Sequence, residues 1–593
     1  AASEPRRRQL ADGRTITERE IALPELPIGR HRLILDGVEC ALTVAPPEAY
    51  GARGALRRRF GLAAQLYALR RAAGDQGIGD FAALGLAGEL AGRAGAAFLG
   101  VNPLHAMFES NRSRCSPYHP SDRRFVDPIH IDVVDDAGLP RDGAIDAALA
   151  REIAASRASV EYEAVWAIKR AALQARFAAF ERARVARPDD PLVADHARFV
   201  GEGGEALRRF AIFQAIAEER QGEDWRRWPQ ALRDGEPKAL EDKARERVDA
   251  VAFALFAQWL ADRQLAGAAA RAKAAGLDIG LYRDLAVGAA PDGAESWARA
   301  RELAQGVSVG APPDPFSAQG QVWNVPPPDP IASARDGWRG FSALLAANMR
   351  HAGMLRIDHA MGLTRLFVVP DGAKPAEGAY LSYPLDDLLG HIALESQRSA
   401  CMVVGEDLGT VPEGFRDALA RADVLGMRVL WFERRGADFV EPAAYPALSI
   451  ACVATHDLPT LAGWWLGADI AERLSLGLVG LENAQAELAE RASEKRALTA
   501  ALVGLGLVDQ EADLAAPMSD EFAAAVHAFL AGAGSLLAAA QLDDLAGERN
   551  AANLPGTDRE RPNWRRRCAL DVETLFAAPR ARAILAALAA RRG

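Results

Sequence analysis

Three carboxyl side chains each follow closely on an apolar stretch of this sequence, and they are Asp358, Glu406 and Asp457. Cleavage of a glycosidic bond with retained configuration needs two such groups. One protonates the departing oxygen, and the other, about 5–5.5 Å away, attacks the anomeric carbon. A single acid would fit a helix cap or an ion pair better. Three acids at three strand ends favour catalysis, because a parallel α/β barrel gathers its catalytic side chains there.

Basic and polar residues stand beside these acids. Arg356 comes two residues before Asp358, so strand alternation places both side chains on one side, and the positive charge should keep the aspartate ionised. Glu406 is the predicted proton donor, since its longer side chain can reach in from a loop. His456, next to Asp457, could hydrogen-bond sugar hydroxyls.

Short strands must position these side chains. Apolar or alternating stretches predict seven strands, at residues 62–69, 96–101, 277–282, 354–359, 401–404, 450–454 and 536–542. A helical pattern after Asp80 separates the first two strands, as in a βαβ unit. With acids at several strand ends, this pattern predicts an α/β fold, a (β/α)8 TIM barrel.

The remaining sequence divides into three kinds of segment. Residues 1–50 predict a small N-terminal β domain or part of one, with a hairpin turn at Asp36-Gly37. This segment fits a structural appendage as well as a functional module. Residues 55–593 predict the catalytic barrel, and alanine-rich helical patterns predict large helical insertions at about 138–270 and 466–530.

Composition narrows the class of protein. The chain has 593 residues, a net charge of −10 and only short, scattered arginine clusters, which excludes the concentrated basic surface of a nucleic-acid-binding protein. The odd number of cysteines, five, favours a reducing compartment over a disulfide framework. The first residues show no signal peptide, and apolar runs stay below the roughly 18 residues of a membrane span. The sequence therefore predicts a cytoplasmic protein without membrane contact.

Other chemistries lack their usual residues. Gly201-Glu-Gly-Gly204 has no following Lys and Ser or Thr, as a phosphate-binding P-loop would require. The sequence contains no Gly-x-Ser-x-Gly nucleophile motif, and its histidines do not have metal-ligand spacing. We therefore predict no metal site and no cofactor.

Three motifs surround the acids: Arg356-Ile-Asp-His359, Gly405-Glu-Asp-Leu-Gly-Thr-Val-Pro412 and Ala454-Thr-His-Asp-Leu-Pro-Thr-Leu461. They resemble the catalytic motifs of the amylomaltases, the 4-α-glucanotransferases of glycoside hydrolase family 77. Further similar segments follow in order from about residue 62, and they include Gln65-Leu-Tyr-Ala-Leu-Arg70, Gly77-Ile-Gly-Asp80, Ser116-Pro-Tyr118, Gly310-Ala-Pro-Pro-Asp314, Asn553-Leu-Pro-Gly-Thr557 and Pro562-Asn-Trp564. The Leu281-Tyr-Arg-Asp284 segment is most similar to the longer bacterial maltodextrin-metabolism type.

The resemblance assigns a role to each acid. It implies that Asp358 is the nucleophile, Glu406 the general acid/base and Asp457 the acid that stabilises the transition state. It also implies that a further group of residues contacts the substrate, namely Tyr118, Asp284, Arg356 and His456.

A second set of substrate contacts is more open to interpretation. Gln321 and Trp323 resemble the family's Gly-Gln-x-Trp segment near the acceptor site, but Asn324 follows where glycine is usual. Trp323 is predicted to stack on sugar, with packing as the alternative. Asn553 lies in a plain turn sequence, and only the resemblance moves it toward the site. Trp464-Trp465 is predicted to be core.

The sequence leaves three functions to compare. The resemblance implies a 4-α-glucanotransferase that moves α-1,4-glucan segments between maltooligosaccharides, as donor and acceptor, by a retaining double displacement. An α-amylase-type hydrolase would use the same chemistry, with water resolving the intermediate. A non-catalytic glucan-binding protein on a barrel scaffold is the third, and the intact acids argue against it.

Overall fold

The computed structural model describes residues 5–10, 12–18, 20, 22–52, 57–134, 147, 151, 158–313, 319–509 and 513–593. At its centre lies an eight-stranded parallel sheet. The strands are β1 Arg59–Ala64, β2 Phe98–Val101, β3 Gly280–Leu285, β4 Met354–Ile357, β5 Met402–Gly405, β6 Gly426–Val429, β7 Ser449–Cys452 and β8 Leu537–Gln541. Neighbours in the sheet follow chain order, with β8 beside β1.

A parallel bridge between Val404 and Leu425 joins β5 to the residue before β6 and closes the sheet into a barrel. The sequence prediction of a TIM barrel is therefore confirmed. The barrel strands are short and almost entirely buried, which explains their apolar sequences, since helices cover the outside and side chains fill the inside.

The sequence located seven of these strands and missed one. The first strand was predicted at residues 62–69, but it runs from Arg59 to Ala64 and is followed by a 3-10 helix at Leu66–Ala68. The predicted strand therefore began and ended too late. The missed strand is β6, whose four residues include a glycine and the buried Arg428. Gly426 and Arg428 alternate with Met427 and Val429, so this stretch lacks the continuous apolar run that marks β5 and β7.

Helices surround the barrel and fill its longest connections. Their bounds are Phe81–Arg93, Tyr162–Ala186, Pro191–Glu219 with a kink at Gly204, Gln230–Arg233, Pro237–Glu246, Val248–Ala274, Ala294–Ala298, Pro330–Arg335, Arg339–Met349, Leu385–Ser399, Phe415–Arg421, Leu461–Leu466, Ala468–Ser475, Leu481–Gly504, Asp520–Ala531, Leu542–Ala546, Val572–Ala577 and Pro579–Arg592. The Asp80 side chain accepts a hydrogen bond from the Ala83 amide and so caps the first of them, as predicted. In the described part of the chain, no helix is long and apolar enough to cross a membrane.

Strands outside the barrel form small antiparallel sheets. Near the N-terminus, Arg6–Gln9 pairs with Thr15–Glu18, and Gly29–Leu35 pairs with Val38–Val44 across the predicted Asp36-Gly37 turn. A four-stranded sheet is built from Val307–Ala311, Gln321–Val322, Arg365–Pro370 and Ala379–Ser382. Two short hairpins complete the set, His105–Ala106 with Asp122–Val126 and Arg434–Arg435 with Asp438–Phe439.

The predicted division into residues 1–50 and 55–593 stays a prediction, as do the limits of the helical insertions. Most of residues 138–157 lie outside the described residues, so the start of the first insertion is not seen. The four helices from Tyr162 to Ala274 that are ten residues or longer do lie between β2 and β3, where that insertion was expected.

Candidate active site

Parallel register sets the position of Arg356. Within the barrel, Arg356 on β4 is the partner of Asp284 on β3, so both side chains emerge at the same level. The Arg356 guanidinium donates through Nη1 to both oxygens of Asp284, at 2.8 and 2.9 Å. Its Nη2 lies 2.8 Å from a carboxylate oxygen of Asp358, one residue beyond the strand. Arg356 thus holds two carboxylates on one cation, on the shared side that alternation predicted.

Glu406 enters the same region from the next strand. It follows β5 directly, and its backbone pairs with the end of β4, because its amide donates to the Ile357 carbonyl at 3.0 Å. The carboxylate accepts hydrogen bonds from the amides of His359 at 2.9 Å and Leu408 at 2.7 Å. His359 has a left-handed φ of 47°, which turns its amide toward Glu406. The residue after Asp358 therefore fixes the Glu406 side chain.

Asp457 is held by two polar neighbours at the end of β7. Its Oδ2 lies 3.2 Å from His456 Nε2, and its Oδ1 accepts from the Asn553 side-chain amide at 2.6 Å. The Asn553 backbone amide also donates to the His456 carbonyl at 3.1 Å. The turn sequence around Asn553 thus brings an amide to the third acid, which spacing alone could not predict.

Tyr118 connects Asp284 with the His456 side of the site. Its hydroxyl donates to Asp284 at 2.6 Å and lies 3.3 Å from His456 Nδ1. The two rings stack at 4.7 Å with an angle of 24°. Trp564 packs against both, at 5.5 and 5.4 Å. Trp564 belongs to the Pro562-Asn-Trp564 segment, for which the resemblance implied no place in the site.

Gln321 and Trp323 approach from the four-stranded sheet. Trp323 Nε1 donates to the Gln321 side-chain oxygen at 2.9 Å. The Trp323 ring stands nearly perpendicular to His359, at 5.2 Å and 85°. Asn324 has a φ of 55°, a conformation that glycine adopts freely and asparagine tolerates better than most residues. The asparagine therefore keeps the backbone shape that a glycine would have there.

The acids differ in their tendency to ionise. Burial raises the pKa of Asp358 to about 6; Arg356 opposes this shift, and the nearby Asp284 and Glu406 carboxylates add to it. Burial also raises the pKa of Glu406, against Arg356 and the two backbone amides. Burial acts the same way on Asp457, but His456 and Asn553 outweigh it and lower that pKa to about 2. The low pKa keeps Asp457 ionised at neutral pH.

A small cavity of about 70 Å³ lies among the strand ends, lined in part by Asp284, Arg356 and His456. It continues into the barrel beside Tyr282 and Cys452. In the described part of the chain, no three His, Cys, Asp or Glu side chains are grouped as a metal site. Carboxyl groups, the Arg356 cation and polar side chains lie around this cavity.

The structure brings the ten predicted site residues to one end of the barrel, linked by the contacts above, and leaves none of them elsewhere. Trp464 and Trp465 are both buried, as predicted. Asp407 was not among the predicted site residues; it is a buried carboxylate that accepts from the Met427 amide and from Arg416 and Arg428. Through these contacts Asp407 holds the loop that contains Glu406 against β6. Its place beside Glu406 was the available signal.

The fold and site together define a barrel enzyme of the glycoside-cleaving class, with carboxyl groups at the ends of several strands. Residues 64–571 match the model of glycoside hydrolase family 77, described as 4-alpha-glucanotransferase. The 4-alpha-glucanotransferase of Mycobacterium tuberculosis (strain H37Rv) is 40% identical over 580 residues, which cover 93% of this chain and 78% of that protein. The one from Haemophilus influenzae is 32% identical, over 94% of this chain and 82% of that protein.

Among solved structures, amylomaltase from Corynebacterium glutamicum superposes with a TM-score of 0.85 at 32% identity, covering 99% of this chain and 84% of that chain. The chain belongs to the 4-alpha-glucanotransferases of glycoside hydrolase family 77. It is a glycosyltransferase acting on α-1,4-glucans, and the hydrolase alternative is disfavoured.

Proposed function

We propose that this chain moves α-1,4-glucan segments between maltooligosaccharides by a retaining double displacement, with Asp358 as nucleophile and Glu406 as general acid/base. One observation carries the proposal. Arg356 forms an ion pair with Asp358 at 2.8 Å, and the backbone amide of the next residue, His359, donates a hydrogen bond to the Glu406 carboxylate. A charged nucleophile and a proton-carrying acid are thereby fixed relative to each other before any sugar arrives.

In the first displacement, Asp358 attacks the anomeric carbon of the donor while Glu406 gives a proton to the departing sugar oxygen. The Arg356 cation offsets the tendency of burial to neutralise Asp358, so the nucleophile is ionised above about pH 6. Burial raises the pKa of Glu406 and so favours the proton that this residue must donate. A covalent glucosyl ester on Asp358 results.

In the second displacement, Glu406 takes a proton from an acceptor hydroxyl, and that oxygen attacks the same carbon. Two inversions retain the α configuration. Asp457 stays ionised because His456 and Asn553 lower its pKa, so its negative charge faces the positive charge that develops on the sugar ring. Asp457 thus stabilises the transition states of both steps.

Substrate contacts follow from the same arrangement. Tyr118 and His456 form a stacked pair whose faces and polar edges suit a sugar ring, and the Asp284 carboxylate accepts hydrogen bonds from both Tyr118 and Arg356. Gln321 and Trp323 provide a polar group and an aromatic face next to His359. We assign Tyr118, Asp284, Arg356, His456 and Asn553 to the donor side of the site. We assign Gln321 and Trp323 to the acceptor side.

Donor and acceptor are both maltooligosaccharides in this proposal. The net charge of −10 supports a neutral substrate over nucleic acid. All five cysteines are free, which supports a reducing cytoplasmic location.

Incubation with maltotriose tests the proposal. Transfer yields glucose together with longer chains and leaves the number of reducing ends unchanged. Hydrolysis adds one reducing end for every bond cleaved, and a product mixture dominated by it would reject the proposal. Asp358→Asn is the matched control, because it keeps the shape of the side chain without its nucleophilic charge. Undiminished turnover by that variant would show that the nucleophile is misassigned.

A further inference from the structure

A distortion in the four-stranded sheet sets the position of Trp323. The Trp323 amide donates to the Val309 carbonyl at 2.9 Å, and the Val309 amide donates to the Val325 carbonyl at 2.8 Å. Both bonds use Val309, so Asn324 is left between them as an unpaired extra residue. Its φ of 55° is typical of such a bulge, a feature that re-aims neighbouring groups. The Asn324 carbonyl is thereby free to bond outside the sheet.

His119 takes up that carbonyl. Its Nε2 lies 2.9 Å from the Asn324 oxygen, and its Nδ1 lies 3.3 Å from Arg114 Nη2. A guanidinium only donates hydrogen bonds, so Nδ1 must accept and the ring proton must sit on Nε2. Arg114 itself is fixed by Asp292, at 2.7 and 3.0 Å. A chain of bonds therefore orients His119 to donate to Asn324.

His119 follows Tyr118, whose hydroxyl binds Asp284 in the site. Tyr118 thus contacts Asp284 in the site, and the next residue, His119, contacts the backbone that carries Trp323. Trp323 in turn stands against His359, whose amide holds the Glu406 carboxylate. Because Glu406 serves the leaving sugar and the incoming hydroxyl, the ring of Trp323 lies on the side where an acceptor must arrive.

We infer that His119 is a positioning residue for acceptor selection: its bond to the Asn324 carbonyl holds Trp323 where a sugar acceptor can stack, in preference to water. This inference rests on the proposed function. Losing the bond leaves the acids and their partners unchanged. Without the bond the bulge relaxes, so the Trp323 ring is no longer held in place for an acceptor sugar to stack on. Water needs no such stacking surface.

The ionisation of His119 supplies an independent signature. Protonation of Nδ1 would turn its N–H toward the Arg114 donor and break the chain of bonds. Burial and Arg114 lower the pKa of His119, while its bond to Asn324 and the carboxylates of Asp292 and Asp558 raise it, and the net shift is downward. His119 is therefore neutral, and the contact intact, at neutral pH, and acid should weaken it.

The test compares variants that keep or remove the donor. His119→Phe keeps a ring without an N–H, and His119→Gln restores an N–H donor. Each is assayed on maltotriose for glucose, total reducing ends and the apparent KM for added acceptor. We expect His119→Phe to raise the hydrolysed fraction and the acceptor KM by roughly five-fold, the value of one hydrogen bond, with donor cleavage nearly unchanged. His119→Gln should recover most of the difference.

Two controls separate this role from simple folding support. Asn324→Gly keeps the carbonyl that His119 bonds and the left-handed backbone, so adding His119→Phe to it should raise the hydrolysed fraction as it does in the parent. His31→Ala removes a histidine on the N-terminal hairpin, whose Nε2 bonds to the local Pro27 carbonyl, and should have no effect on the partition. In the parent, lowering the pH should raise the hydrolysed fraction, and His119→Phe should lose that dependence.

The inference is overturned if His119→Phe partitions maltotriose as the parent does, or if His119→Gln is no better than His119→Phe. Should the phenylalanine variant not fold, His119→Ala carries the same comparison, because His119 is partly exposed and alanine introduces no bulk. Failure of the proposed function looks different: the parent itself would then produce new reducing ends instead of longer chains.

Discussion

The Arg356 guanidinium lies 2.8 Å from Asp358 and also binds Asp284 through two hydrogen bonds. All three groups are largely buried, so the cation meets two carboxylates where little water screens their charges. Burial raises the pKa of Asp358 to about 6, and Arg356 is the main group that lowers it against that effect. The relationship connects strand register with the ionisation of the proposed nucleophile.

Arg356→Gln should therefore shift the pH dependence of activity. Without the cation, the pKa of Asp358 rises further above 6, and a carboxylate nucleophile is active only when deprotonated. The acid limb of kcat/KM should move to higher pH, and kcat at neutral pH should fall on the order of 10²-fold. Arg335→Gln, which changes an exposed arginine at the end of the helix Pro330–Arg335, is the control. An unshifted acid limb in Arg356→Gln would contradict this account.

Glu406→Gln should separate substrates by their leaving groups. Maltotriose needs protonation of its departing oxygen, so its turnover should fall by about 10²- to 10⁴-fold. An α-maltoside with an acidic phenol as leaving group needs little protonation, and its first step should be nearly unaffected. Burst kinetics of phenol release measures that step. Equal losses on both substrates would mean that Glu406 is not the proton donor.

Asn553→Ala should weaken the support of Asp457. The variant removes the 2.6 Å hydrogen bond that helps to lower the pKa of Asp457 and leaves the His456 contact in place. A hydrogen bond to a charged group contributes about 1.5–3 kcal/mol, so kcat should fall by roughly ten-fold or more. Steady-state kinetics on maltotriose gives the answer, and a change in KM alone would place Asn553 in ground-state binding instead.

Glu295→Ala should destabilise the whole fold. Glu295 is buried and lies 2.6 Å from Arg123, whose guanidinium also donates to the Ala286 and Val287 carbonyls after β3. Removing one partner of a buried ion pair costs about 3–5 kcal/mol of unfolding free energy, which denaturant titration can measure. The control is Glu302→Ala, which removes a more exposed partner of Arg299 and should cost at most about 1 kcal/mol.

The pH dependence of that stability has a definite sign. Burial disfavours the charge of Glu295, but Arg123 outweighs it, so the folded pKa is below the usual value. The stabilisation is complete above about pH 4.3, the unfolded value, and declines as the pH falls through the lower folded value. The difference between the parent and Glu295→Ala should shrink in acid. A difference that grows on acidification would contradict the pairing.

The three acids could be predicted because each follows an apolar strand, and strand ends of a parallel barrel share one face. Strand alternation likewise predicted that Arg356 and Asp358 share a side. The partners that tune these groups could not be found this way. Asn553 reaches Asp457 from a distant turn, so no sequence period relates them.

Polar contacts that stabilise the barrel and the site could not be predicted from the sequence either. Arg428 interrupts the apolar pattern of β6 because it binds the buried Asp407, and this tertiary contact offsets the cost of burying a charge. His119 gives no local signal either, since its partner Asn324 lies on another element. Only the folded backbone shows that these pairs meet.

Capture of the glucosyl ester tests most directly whether Asp358 is the nucleophile. Glu406→Gln lacks the general base of the second step, so brief incubation with α-maltosyl fluoride, which needs no proton to depart, should accumulate the intermediate. Acid quenching, proteolysis and peptide mass spectrometry then locate the sugar. We expect a maltosyl adduct on the peptide that contains Asp358. An adduct on the peptide that contains Asp457, or fluoride release without any covalent adduct, would contradict it.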